Sequence, residues 1–361
     1  MGLTPQQLLS AFRPATAGQL AGVAALRREI MGATIYWDDM AYLRWRYHFG
    51  SEERGQGDCW VLTLDGSIAG MVGTERVELQ RGDERIVAWL TMDIAVAPHY
   101  EGSGLGSWMN LRVCQAAGCA LTIGSNEKSR NMIIRTFCQL PDRRSYVLPI
   151  HFERLLSKRL SSQWLAHSAA ALMDAFAALG RRLVFVGAGS DLELCAITRF
   201  DDSVRPLLAR GADREERRIA PSVAFLNWRL FDNPRVAYQV IGAYRQGVLL
   251  GYLATMQRGH RLEPRSVVLI DWLADRGYFR PVFRALCAYA VRNAAANGAE
   301  TVTVTAYHAP SERLLKRFGF IARHNRYETI AVYATDETAL ATLRAPVSWF
   351  ITEANADRDD L

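Results

Sequence analysis

The apolar and polar positions of this chain form a pattern of strands and helices that runs once and then begins again. After a short strand-like stretch at Arg13-Pro14-Ala15-Thr16, Leu20, Val23, Leu26 and Ile30 recur at helical spacing, and a second helical pattern covers residues 38–47. Trp60-Val61-Leu62-Thr63-Leu64 then meets Asp65-Gly66, a favoured two-residue turn, with residues 67–77 as the return strand of a hairpin. Residues 85–97 predict the next strand, which ends at Pro98 and passes through Gly102, Gly104 and Gly106 into a helical pattern at 107–117. A brief apolar strand at 119–124, a helix at 131–137 and a closing strand at 145–150 complete the order β-α-α-β-β-β-α-β-α-β.

Residues 152–180 are helical in pattern and rich in Ala and Leu. The most apolar part, 164–180, is interrupted by His167 and Asp174 and is short for a membrane span; it reads as a packed linker helix, with a helix lying on a membrane surface as the alternative. The opening order then returns. Tyr42-Leu-Arg-Trp45-Arg46-Tyr47 aligns with Phe225-Leu-Asn-Trp228-Arg229-Leu230, Asp93 with Asp271, Gly118 with Gly298, and Ile133-Ile-Arg-Thr-Phe137 with Leu314-Leu-Lys-Arg-Phe318. A whole-domain duplication constrains the fold more than any single motif. The expected architecture is α/β, of the α+β mixed-sheet kind: one domain over 1–150, a helical linker over 151–182 and a second domain over 183–361.

Composition agrees with two folded domains. The chain has 361 residues, half of them apolar and 22% charged, with no long polar tract. A formal charge of +6 comes from arginines spread along the chain, which suits an anionic small ligand better than a nucleic-acid track. Six cysteines show no C-x-x-C pair, no zinc spacing and no secreted-scaffold density. With no signal-peptide pattern at the start and buried-type thiols, a cytoplasmic location is expected. Oligomeric state is left open.

Asp93-Ile-Ala-Val-Ala-Pro-His-Tyr-Glu-Gly-Ser-Gly-Leu-Gly106 is the stretch with the clearest chemistry. Glycines between a strand and a helix let the backbone approach an anion closely, and a helix N-terminus presents unpaired N–H groups. A tight structural turn is the plainer reading of the same residues. The element order and this loop resemble the GNAT (N-acetyltransferase) superfamily, once per half. Val96-Ala-Pro98 followed by Glu101-Gly-Ser-Gly104-Leu-Gly106 looks like the family's pyrophosphate loop, and Arg313-Leu-Leu-Lys-Arg-Phe-Gly319-Phe320 looks like its late helix ending in Gly-Phe. The tandem arrangement is similar to two-domain GNAT proteins of bacterial surface-polysaccharide loci. Glu101 stands where the family has Arg or Gln, and Asp275-Arg-Gly-Tyr-Phe-Arg-Pro281 replaces the loop in the second half, so a cofactor site is expected in the first half alone.

The resemblance implies acetyl-CoA as cofactor and a small-molecule amine as acceptor, possibly an amino sugar, with no nucleic acid and no metal. It implies cofactor contacts from Glu101, Gly102, Ser103, Gly104, Leu105 and Gly106, a thioester contact from the Val96 N–H, and a pantetheine contact from Asn126, whose other reading is a helix cap. Asp93 is the leading candidate for general base, with an arginine-paired structural carboxylate as its alternative; Glu75 and Glu78 are weaker candidates whose faces depend on register. The family's tyrosine acid is missing, since Ile134 occupies its place. Tyr100 is the first substitute, with His99 and Tyr146 behind it. Trp45-Arg46 and Trp228-Arg229 are expected to pack the repeats together. A direct-transfer N-acyltransferase is the leading function. A non-catalytic acyl-CoA-binding or regulatory protein and an aminoacyl or peptidyl transferase are the alternatives.

Overall fold

The computed structural model describes residues 4–32, 39–48, 58–211, 213–259, 265–325 and 327–356. Asp38, the expected first residue of the second helix, lies outside them. The first half runs α1 (Pro5–Ala11), β1 (Phe12–Pro14), α2 (Leu20–Met31), α3 (Met40–Arg46), β2 (Cys59–Leu64), β3 (Ser67–Arg81), β4 (Glu84–Val96), α4 (Leu105–Ala117), β5 (Cys119–Ile123), α5 (Glu127–Thr136), β6 (Cys138–Leu140) and β7 (Arg144–Pro149). Helices α6 (Glu153–Ser157) and α7 (Gln163–Val184) follow. The second half runs β8 (Glu193–Ile197), α8 (Arg205–Arg210), β9 (Glu216–Ile219), α9 (Val223–Leu230), β10 (Gln239–Arg245), β11 (Val248–Arg258), β12 (Ser266–Ala274), α10 (Phe279–Ala296), β13 (Thr301–Ala306), α11 (Ala309–Arg317), β14 (Ile321–Arg323), β15 (Ile330–Ala334), α12 (Glu337–Arg344) and β16 (Ser348–Phe350).

The duplication is visible in local chemistry. Each half has a hairpin whose turn places two residues at positive φ, Asp65 and Gly66 in the first and Gln246 and Gly247 in the second, the conformation a tight two-residue hairpin requires. Each hairpin carries a bulge just before the turn, at Leu62/Thr63 and at Ala243/Tyr244. A second bulge falls at the same place in both central strands, around Asp93 in β4 and at Ile270, just before Asp271, in β12.

Two mixed sheets result, and each takes in strands from the other half: β15, β9 and β16 join the first, with β9 pairing β3 and β16, and β7 joins the second. In the first sheet the order is β1-β2-β3-β4-β5-β15-β6, so β15 lies between β5 and β6. In the second it is β14-β7-β13-β12-β11-β10-β8, so β7 lies between β13 and β14. The strand at 145–150, expected to close the first unit, therefore closes the second: Val147 pairs with Thr303 on one side and Ile321 on the other. Its counterpart β15 pairs Ile330 with Ile123 and with Leu140. The strand pattern was right, but alternation of apolar residues carries no address for the sheet that receives it.

The two crossing connections meet at Arg143. Its guanidinium is buried between Glu328 (2.7 Å) and Glu353 (3.1 Å), and its N–H bonds the Glu328 carbonyl at 2.9 Å. Elsewhere on the seam, Trp45 and Trp228 stack at 5.0 Å, and each indole N–H donates to the other's backbone carbonyl, at 3.0 and 3.2 Å. Arg229 lies about equally far from both rings and donates to the Ala356 carbonyl. The two tryptophans, with Arg229 beside them, thus join the halves around a local pseudo-dyad, while Arg46 pairs with Glu75 of its own half.

Candidate functional site

In the first half, β4 and β5 run parallel at Trp89↔Ala120 and Leu90↔Leu121 and pair no further. The bulge around Asp93 turns β4 away from its neighbour, and β4 continues to Val96 with a free edge. The Ala97 N–H bonds Ala69 of β3 at 2.9 Å, so the alternation of a strand's backbone groups turns the Val96 and Ile94 N–H groups towards the opening. The Val96 N–H thus faces the unpaired side of β4.

The glycine loop sits at the mouth of this opening. Gly102 and Gly104 have φ of 81° and 82°, and a side chain added at either would meet nothing within 4 Å. At Gly106 a Cβ would come within 3.3 Å of Val96, so the first turn of α4 lies directly on the end of β4. Gly104 caps α4 without a side-chain bond, and Ser103 Oγ accepts from the Leu105 N–H at 3.3 Å. Among the described residues, no protein acceptor takes the Gly106 or Ser107 amide. Such a helix start is a ready anion seat. Glu101, the departure from the family pattern, bonds Lys128 of α5 at 2.5 Å, so its charge is matched by a cation next to the loop.

Polar atoms without partners lie beneath the opening. Both amide atoms of Asn110 and the hydroxyl of Thr91 are buried and unbonded. Asn110 is one turn beyond Gly106, on the α4 face that meets β4, and the Thr122 hydroxyl of β5 reaches across to the Thr91 carbonyl at 3.4 Å. A buried polar atom left unpaired costs about 1–3 kcal/mol, so a guest with amide groups would be held here once these side chains turn to meet it. The open space at the glycines, the vacant helix amides and the polar floor all fit a pantetheine pyrophosphate such as coenzyme A. Sequence reasoning missed Asn110 because it reads as one more polar residue in an amphipathic helix.

Asp93 has φ 48° and is held from below. Its carboxylate accepts from the Tyr47 hydroxyl at 2.7 Å and pairs with Arg27 at 3.2 Å, and Arg27 also donates to Tyr47 at 2.6 Å. Burial alone would raise the Asp93 pKa, but Arg27, Arg46 and the Tyr47 hydrogen bond outweigh it and hold the carboxyl below its ordinary range. Glu75 faces inward and pairs with Arg46, whereas Glu78 faces outward and pairs with Arg85. The two glutamates lie on opposite faces of β3.

Of the expected proton donors, Tyr100 is half-buried beside the loop with its ring 4.0 Å from that of His99. Tyr146 is not at this site: β7 carries it into the second sheet, where its hydroxyl bonds Glu312 at 2.6 Å. Asn126 is occupied as a cap, accepting from the Ser129 N–H at 2.8 Å. Strand exchange supplies another tyrosine. The carbonyl of Tyr327, just before β15, accepts from the Ser125 N–H at 2.9 Å, which sets this residue at the cleft end of β5.

The second half has a similar opening, since β12 and β13 pair only from Ser266↔Thr301 to Leu269↔Val304. Here the chain's own C-terminal stretch enters: Ile351 bridges to Tyr307, Phe350 meets the edge of Trp272, and Thr352 donates to Asp271 at 2.7 Å. The loop amide of Gly277 is taken by the Asp275 carboxylate at 2.9 Å. A protein carboxylate thus stands at the helix start that an anion would need.

By sequence, no family model matches the chain and no curated protein is similar to it. Solved structures are similar in shape. A GCN5-related N-acetyltransferase from Anabaena variabilis superposes with a TM-score of 0.60 at 11% identity, covering 90% of this chain and 72% of that one. One from Kribbella flavida gives 0.58 at 13%, covering 89% and 70%. Saccharomyces cerevisiae N-myristoyltransferase, solved with bound myristoyl-CoA, gives 0.57 at 10%, covering 92% and 83%. The fold of this chain is that of the GCN5-related N-acetyltransferases, built on two mixed sheets that each take in at least one strand from the other half.

Proposed function

We propose that the chain is an acyl-CoA-dependent N-acyltransferase in which the first half holds the acyl donor, acetyl-CoA, and a primary amine, an amino sugar by the tandem resemblance, enters from the α2–α3 side. The reading is carried by one coincidence: in the first half the unpaired edge of β4 opens beside vacant α4 amides. The donor supplies an activated thioester carbonyl. The loop from Glu101 to Gly106 holds the pyrophosphate, Asn110 and Thr91 take the amides of the arm, and the Val96 N–H is the donor for oxyanion charge.

Asp93 acts by position in this scheme. A general base works best with a pKa near the operating pH, and the Arg27 pair holds this carboxyl low. The carboxylate pins the bulge that aims Ile94 and Val96, and the amine passes its proton to water. Tyr100 and Tyr327 flank the loop and the end of β5 as donors to the leaving thiolate.

Thermal unfolding with acetyl-CoA tests the reading. A ligand at about 100 times its Kd adds about 2.7 kcal/mol to the folded state, a clear rise in Tm. Gly104→Val places a branched side chain at φ 82° and into the open space, and should remove the shift. An unchanged shift would place the donor elsewhere. Thiol release with a panel of amines, in wild type and in Tyr100→Phe and Tyr327→Phe, then identifies the acid by a fall of roughly a hundredfold or more. A Tm shift without thiol release for any amine favours a non-catalytic acyl-CoA sensor.

A further inference from the structure

Helix α7 presents an apolar face that none of the described residues covers. Its inner side rests on the protein through Ala166 and Ala170, and Asp174 is turned inward to His151 (3.0 Å) and the Phe152 N–H (2.9 Å). On the outer side Leu165, Leu172, Phe176, Leu179, Leu183 and Val186 follow one another at intervals of seven, four and three residues, which places them in a single stripe. They are 53% to 67% exposed, and Trp164, at the start of the same helix, is 74% exposed. The largest apolar patch on a monomer is often a functional surface.

We propose that this face of α7 lies on an anionic phospholipid surface, parallel to the membrane plane. Charge selects this occupant. Exposed Lys158 and Arg159 precede the helix, exposed Arg182 ends it while Arg181 turns inward to the Pro149 carbonyl, and Asp174, also turned away, is the one acid from 158 to 184. Cations at both ends of a leucine, phenylalanine and tryptophan face are the pattern of a helix that seats in the headgroup layer. The helix is not apolar enough to cross a bilayer. A second copy of the chain fits less well. The 22-residue helix is about 33 Å long, and a stripe some 10 Å wide offers on the order of 350 Å², below the roughly 800 Å² per partner of a stable interface. Ser168, Ala171 and Ala175 along its border carry no charge to set a pairing register.

Sedimentation of the full chain with vesicles tests this independently of catalysis. The chain should bind vesicles containing about one-third phosphatidylglycerol in phosphatidylcholine, bind phosphatidylcholine alone weakly, and release with added salt. Leu172→Glu with Phe176→Glu should abolish binding at unchanged Tm, since both side chains are in solvent. Arg159→Gln and Arg182→Gln should each weaken partition roughly fivefold. Failure of the wild-type chain to sediment with the anionic vesicles at low salt overturns the proposal. So does a wild-type dimer in solution that the double variant converts to monomer, which would identify the occupant as a second copy.

Discussion

The same carboxylate has been put to opposite electrostatic uses in the two halves. Asp93 is paired with Arg27 and held low; Asp271, its equivalent, is buried without an arginine pair, bonded to Tyr252 and Thr352 at 2.7 Å each. Burial raises the Asp271 pKa to about 6, against the smaller lowering effects of those two hydrogen bonds, the Trp272 N–H and Arg229. The stability signs follow by linkage. A carboxyl raised in the folded state contributes stability that is full below its unfolded value of 3.8 and is lost as pH rises through 6, a difference on the order of 3 kcal/mol. A lowered carboxyl contributes stability above 3.8 that is lost as pH falls. Denaturant titrations across pH from about 2 to about 7 should therefore show Asp271→Asn flattening the loss of stability on the upper limb and Asp93→Asn flattening the acid limb below 3.8. For catalysis, Asp93→Asn should lower kcat while leaving the shape of the pH-rate profile in place. A variant that removed the acid limb of that profile would restore Asp93 as the base.

Elements were legible where local chemistry dictates them, and their partners were not. Asp65-Gly66 announces a hairpin because that turn needs two residues tolerant of positive φ, and Gly118 announces a helix end for the same reason. The glycine loop was readable as a helix start. What alternation cannot convey is which sheet a strand joins, so β7 was assigned to the half that encodes it and Tyr146 was placed at the wrong cleft. The faces of Glu75 and Glu78 depended on a one-residue register that the bulges control. Nor does a sequence show that the C-terminal stretch fills the second opening, since its residues meet Asp271 and Trp272 only after the chain has folded. The crossing itself gives a test. Arg143→Met would remove the buried guanidinium between Glu328 and Glu353, a loss of about 3–5 kcal/mol for a broken buried pair, read as a lowered denaturation midpoint. Adding Glu328→Gln and Glu353→Gln to the same chain should recover a large part of it, because the cost lies in uncompensated charge rather than in lost packing.

At the scale of the whole molecule, strand exchange makes two similar units depend on each other. Without β15, the edges of β5 and β6 would be unpaired, and Cys119, Leu121 and Ile123, all buried, would lose the Ile330 and Val332 side of their core. Without β7, the same loss falls on β13 and β14. Neither half then has a closed sheet, although each has enough residues for a domain. The donor cleft is affected directly, since Gly124 and Ser125 at its rim bond the Thr329 and Tyr327 carbonyls of the second half. A half without a glycine loop is thus a structural part of the cleft proposed to hold the donor. Residues 1–158 produced alone should be unfolded, or should associate so that β7 of one copy fills the gap in another. Adding residues 159–361 in the same cell should restore a folded one-to-one complex that responds to acetyl-CoA. A monomeric 1–158 fragment with a cooperative unfolding transition would show that the exchanged strands decorate two self-sufficient domains rather than complete them.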